Sequence, residues 1–117
     1  MKRISRLRTS SDIIRVRKRG NVNTHPLLTL IAFETSSAET RICVITGKTI
    51  GSAVQRNHVK RQIRSIIEYS KDNIKTGWDL LVIARKHIVM ASFLQISAAM
   101  ENVLNRSGLM QTNERVQ

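Results

Sequence analysis

The stretch that most constrains the fold is residues 51–67, GSAVQRNHVKRQIRSII. Ser52 followed by Gln55 reads as a capping box, in which each side chain satisfies the other residue's backbone N–H, so a helix begins near Ala53. Val59, Ile63, Ile66 and Ile67 then recur at helical spacing. At about 100° per residue these four fill one arc of the helical wheel. Arg56, Asn57, Lys60, Arg61 and Arg64 fill the arc beside it, with no acid among them. One side of this helix therefore has to be buried, and the other gathers cations. Like charges at 56, 60 and 64 cost an isolated helix roughly a few tenths of a kcal/mol per pair, whereas an ordinary solvated helix interleaves Glu with Lys. Such a face fits a polyanion.

The buried stripe needs a partner layer, and the flanking sequence supplies strands. Residues 27–33 form an apolar run broken only by Thr29 and preceded by Pro26, and residues 41–46 are β-branched and apolar. With the polar turn at 34–39 between them, the two read as an antiparallel pair. Residues 78–85, after Gly77, read as a third strand, buried on both faces at 80–84. Thr9 with Asp12 at the third position suggests a cap for a short helix that reaches Arg19 and ends at Gly20 as its C′ residue. Ser92 with Gln95 is a further capping box, and Phe93, Ile96, Met100, Val103 and Leu104 make its helical stripe, closed by Gly108. The predicted order is helix, strand, strand, helix, strand, helix. This is a small α+β sheet sandwich with a strand–helix–strand crossover, in one domain over residues 1–109 with a flexible tail at 110–117. Phe33, Tyr69, Trp78 and Phe93 are expected in the core.

Charge narrows the function. The formal net charge is +12, an imbalance that solubility does not require. Thirteen of the twenty Lys and Arg residues lie in two blocks. Residues 2–19 hold eight of them against the single acid Asp12, and residues 48–64 hold Lys48, Arg56, Lys60, Arg61 and Arg64 against none. The partner is anionic, a nucleic acid or an acidic surface. No apolar run approaches a membrane span, and the basic start lacks the apolar segment of a secretion signal. A single cysteine, Cys43, fits a reducing cytoplasm.

Catalytic chemistry is missing from the pattern. His25, His58 and His87 are dispersed, and none has a carboxylate three or four residues away. No Cys or His pair has metal-ligand spacing, so no cofactor is expected on the protein itself. Cys43, between Ile42 and Val44, reads as a buried, inert thiol. Residues 46–49, TGKT, imitate a phosphate loop, but Ile42 stands where its first Gly is required. With aromatics at 3%, recognition by base stacking is not expected, and contact runs through phosphates and shape.

Residues 48–64, KTIGSAVQRNHVKRQIR, resemble the signature of the bacterial ribonuclease P protein subunit: a Lys, then Gly-Asn-Ala-Val, Arg-Asn-Arg, an apolar residue, Lys-Arg and a final Arg. Ser52 replaces the common Asn, and both are good N-caps. His58 replaces Arg, leaving one cation fewer at neutral pH. The resemblance runs from about residue 6 to 104 and is strongest over 41–64. It implies one extra short strand, a left-handed crossover, and a complex whose catalytic RNA removes the 5′ leader of precursor tRNA with divalent metal ions such as Mg. It implies that Arg56, Asn57, His58, Lys60, Arg61 and Arg64 grip the catalytic RNA, with Lys48 touching RNA beside the helix cap. It further implies a leader-binding cleft between the first helix and the sheet. There Ile13 and Arg17 occupy positions that are often aromatic in the family.

Other readings compete. A small ribosomal-type protein shares the size and charge. A DNA-binding regulator calls for two helices joined by a short turn, and here a strand intervenes. A membrane-surface helix would not be so committed to a core.

Overall fold

The computed structural model describes residues 4–111. Eight main elements follow in order: β1 (Ile4–Arg6), α1 (Ser10–Arg19), β2 (Asn21–Thr24), β3 (Leu28–Glu34), β4 (Thr40–Ile45), α2 (Ala53–Ser70), β5 (Trp78–Ala84) and α3 (Phe93–Arg106). Short 3₁₀ turns at Lys48–Ile50, Lys71–Asn73 and Lys86–Met90 join them. The five strands make one mixed sheet in the order β1-β4-β5-β3-β2.

Both Ser/Gln capping boxes form. Ser52 N–H donates to Gln55 Oε1 at 2.9 Å and Gln55 N–H to Ser52 Oγ at 3.2 Å, and Ser92 and Gln95 repeat the exchange at 2.9 and 3.1 Å. Each box stabilises its helix start by about 1 kcal/mol. At the end of α3 the N–H of Leu109 reaches the Leu104 carbonyl and that of Gly108 reaches Asn105, with Gly108 at φ +78°. This is the left-handed helix stop expected of that glycine.

Alternation along the strands sorts the core into two layers. Ile42 and Val44 on β4, Leu80 and Val82 on β5, and Leu28 and Leu30 on β3 face α2 and α3. They meet Val59, Ile63, Ile66 and Ile67 of α2 and Ile96, Met100, Val103 and Leu104 of α3. Each such side chain contributes about 1.5–3 kcal/mol by leaving water. The opposite face carries a thinner layer, in which Val16 of α1 packs with Leu7, Ile31 and Leu81.

Several sequence expectations need correction. The runs at 27–33 and 41–46 are not paired with each other. β5 lies between them, antiparallel to β3 and parallel to β4. Its unbroken buried stretch from Asp79 to Val82 fits only a central strand. Two short strands, β1 and β2, edge the sheet where one extra was expected. Thr9 makes no side-chain cap bond, and the Asp12 carboxylate, expected to complete the box, turns to Arg15 and Arg41 instead. Gly20 is extended, at φ −75°, rather than left-handed. Its glycine is required by space: an added Cβ would stand 2.6 Å from Ile31 Cγ2 and 2.7 Å from the Val16 carbonyl oxygen. Tyr69 and Phe93 lie outside the core, 92% and 45% exposed, whereas Phe33 and Trp78 pack partly against it. Met110, at the start of the expected tail, bridges to Ile74, and Gln111 N–H reaches the Asn73 carbonyl. The rest of that tail, 112–117, lies outside the described residues.

Candidate nucleic-acid interface

Burying Val59, Ile63, Ile66 and Ile67 against the sheet fixes the roll of α2, and the roll decides where its cations point. Asn57, His58, Arg61 and Arg64 are exposed, and Arg56 and Lys60 half-buried. Lys48 is exposed on the 3₁₀ turn that leads into the helix. Arg56 Nη1 donates to the Gly51 carbonyl at 2.9 Å, which folds its guanidinium back over the helix cap and leaves other N–H groups free to donate outward. Among the described residues the ion pairs are Arg15–Asp12, Arg41–Asp12, Arg41–Asp79 and Lys71–Glu68. None involves a cation of residues 48–64. A surface charge without an acidic partner is available to a phosphate.

Beside α2 the edge strand β1 opens a groove of about 390 Å³. Ile4 and Arg6 line one wall, and Arg61, Arg64 and Glu68 the other. Arg6, from the N-terminal basic block, thus joins the helix cations.

The other face of the sheet is covered in part by α1, which packs over β3 and β5. Strand register sets three rows there: Arg41, Asp79 and Phe33; then Cys43, Leu81 and Ile31; then Ile45, Ile83 and Thr29. α1 covers the middle of this surface, so Leu81 and Ile31 are buried. Cys43, Ile45, Ile83 and Phe33 remain half-buried and form an apolar floor. Ile13 of α1 packs against the buried cluster of Leu7, Val16, Ile31 and Leu81, and Arg17 stands exposed one turn further on. Ile13 and Arg17, the two residues expected at a leader cleft, thus lie on the same helix, the first half-buried and the second exposed.

Cys43 is half-buried, where the sequence suggested full burial. Burial pushes its thiol up, while the positive charges of Lys60, Arg64 and Arg17 pull it down. β1 covers the edge of β4 only as far as Ile42, so the edge is open from Cys43 onward. The two basic blocks, separate in sequence, meet at the groove beside β1, which Arg6 lines together with Arg61 and Arg64.

One network escaped the sequence reading. Arg41 Nε and Nη2 donate to the two oxygens of Asp79 at 2.9 and 2.7 Å, and Nη1 reaches Asp12 Oδ2 at 3.3 Å. Asp79 is fully buried, and its charge is tolerable only with this bidentate partner. The flanking carboxylates hold the Arg41 guanidinium above its usual range, chiefly through the hydrogen bonds to Asp79. A charged residue at the start of an apolar strand run was the available signal. Among the described residues no three His, Cys, Asp or Glu side chains are grouped so as to hold a metal ion, and no helix is long and apolar enough to cross a membrane.

Comparison with known proteins agrees with this architecture. A family model described as Ribonuclease P matches residues 1–108. The ribonuclease P protein component of Herpetosiphon aurantiacus is 35% identical over 115 residues, covering 98% of this chain and 94% of the relative. That of a Roseiflexus species is 33% identical, covering 97% and 94%. Among solved structures, the ribonuclease P protein of Staphylococcus aureus superposes with a TM-score of 0.84 at 27% identity, over 91% of this chain and 97% of that one. The Thermotoga maritima protein gives 0.80 at 25% identity, over 87% and 96%.

Proposed function

The chain belongs to the ribonuclease P protein family, whose members work in tRNA processing within a ribonucleoprotein, and on that premise we propose that it grips the catalytic RNA through α2 and the 5′ leader of precursor tRNA through the cleft beneath α1. In this reading the RNA carries the active site and uses divalent metal ions, Mg among them, to hydrolyse the leader from the tRNA. The protein, working in the cytoplasm, contributes no catalytic residue. Arg56, Asn57, His58, Lys60, Arg61 and Arg64 meet the catalytic RNA, and Lys48 meets it beside the helix cap. Ile13 and Arg17 meet the leader, the first as an apolar wall and the second as a phosphate partner.

The observation that carries the reading is the α2 face, where cations without acidic partners stand beside a stripe committed to the core. Such a surface neutralises phosphates and releases counterions, which makes binding strong and salt-sensitive without reading sequence. Neither Ile13 nor Arg17 offers an aromatic ring, so these two hold the leader by apolar contact and charge. Membership of this family displaces the ribosomal-type alternative.

The test is reconstitution. The purified protein alone leaves precursor tRNA intact, and adding the cognate catalytic RNA with Mg restores 5′ cleavage. Specific cleavage by the protein without RNA refutes the proposed division of labour.

A further inference from the structure

We infer that Asp12 is a positioning residue for the leader: its ion pair with Arg41 fixes the lie of α1 across the sheet, and with it the placement of Ile13 and Arg17 on that face. The inference rests on the leader-cleft reading above and adds to it the device that holds the cleft in shape.

α1 is anchored at its two ends by different means. At its C-terminal end Gly20 is packed so closely on Ile31 that no side chain fits. At its N-terminal end Asp12 Oδ2 accepts from Arg41 Nη1 on β4 at 3.3 Å. α1 itself packs over β3 and β5, so this bond crosses the sheet to a strand beyond them. The base of the tie is rigid. Two other nitrogens of the Arg41 guanidinium are fixed on the fully buried Asp79, and a planar guanidinium held at two points cannot swing. Asp12 Oδ1 meanwhile accepts from Arg15 at 2.9 Å, which holds the carboxylate on its own helix. Between the two anchors lie Ile13 and Val16, and Arg17 follows immediately.

The sign of the charge makes the point separable. Asp12 is the single acid among eight cations of residues 2–19. By electrostatics alone it repels a leader, so whatever it adds to leader binding has to come through geometry.

The experiment uses the holoenzyme reconstituted with its cognate catalytic RNA and two precursor tRNAs. One has a single-nucleotide leader and the other a leader long enough to cross the cleft. The quantity read is the ratio of their dissociation constants. The native protein prefers the long leader. Asp12→Asn reduces that preference roughly fivefold, the scale of a modest coupling between two sites, and Asp12→Glu, which keeps the charge, recovers most of it. If Asp12→Asn merely tightens both substrates alike, the effect is charge and the inference is overturned. It is equally overturned if Asp12→Glu behaves like Asp12→Asn. A native holoenzyme with no preference for the long leader refutes the leader-cleft reading itself, a failure distinct from that of the tie.

Discussion

Arg41 on β4 and Asp79 on β5 stand directly opposite each other in the parallel register, and the guanidinium grips the carboxylate with two hydrogen bonds of 2.9 and 2.7 Å. The pair ties the strands on either side of the central crossover. Removing one partner strands a charge: Arg41→Met leaves Asp79 buried and uncompensated, and should destabilise the protein by about 3–5 kcal/mol. The double variant Arg41→Met with Asp79→Leu should recover much of that loss. Urea unfolding of the three variants against the native protein checks the prediction, which fails if the single change costs no more than a surface substitution.

The exposed α2 cations give a second expectation. Log affinity for the catalytic RNA falls with log salt by about 0.9 per phosphate neutralised on duplex-like RNA. Arg61→Ala and Arg64→Ala should each reduce the slope by about one unit, with unfolding midpoints nearly unchanged, because neither side chain is buried. Titrations across a salt series decide it, and unaltered slopes would place RNA elsewhere.

His58→Arg should do the reverse. The position is exposed in the middle of the basic helix, and Arg carries a permanent charge. The salt slope should steepen by about one unit and affinity should rise at neutral pH. A slope identical to the native value would show that position 58 points away from the RNA.

Cys43 offers a probe of the cleft. Burial raises its thiol, so the folded state keeps the proton to a higher pH than the unfolded chain does. The sign follows from proton linkage. The stability this provides is fully present below the ordinary thiol range, near pH 8.5, and is lost as pH rises through the raised value. Cys43→Ser should therefore flatten the alkaline decline of the stability curve. Alkylation of Cys43 should be slow in the native protein, faster in urea, and slower still when a leader-bearing RNA fills the cleft. Equal rates with and without that RNA would separate Cys43 from the leader path.

The helices were legible because helical information is local. Ser52, Gln55 and the 59-63-66-67 stripe lie within one stretch, so both the start of α2 and its buried face could be read directly. The direction of its cations followed from the same wheel. β1 and β2 were not legible. Ile4-Ser5-Arg6 and Asn21-Val22-Asn23-Thr24 are short and largely polar, and they are strands only because β4 and β3 offer free edges. Adjacency in sequence misled at β3 and β4, since pairing was decided by the doubly buried β5. Two apolar runs joined by a polar turn look the same whether they touch or are held one strand apart. Within the candidate site, Arg6 on β1 and Arg61 and Arg64 on α2 line one groove, and no spacing rule brings them together. The Asp12–Arg41–Asp79 network was hidden for the same reason.

The insertion of β5 between β3 and β4 has a consequence for synthesis. As the chain leaves the ribosome, β3 and β4 appear well before β5, and each then has only a short edge strand to pair with, β2 and β1. The space between them stays open until all of α2 and then Trp78–Ala84 have emerged. The sheet cannot zip from one end; it closes when its last strand arrives at its centre. Nascent chains halted before residue 78 should therefore remain sensitive to protease throughout. Protection should appear in one step once β5 has cleared the exit tunnel, a gain set by long-range pairing rather than by chain length.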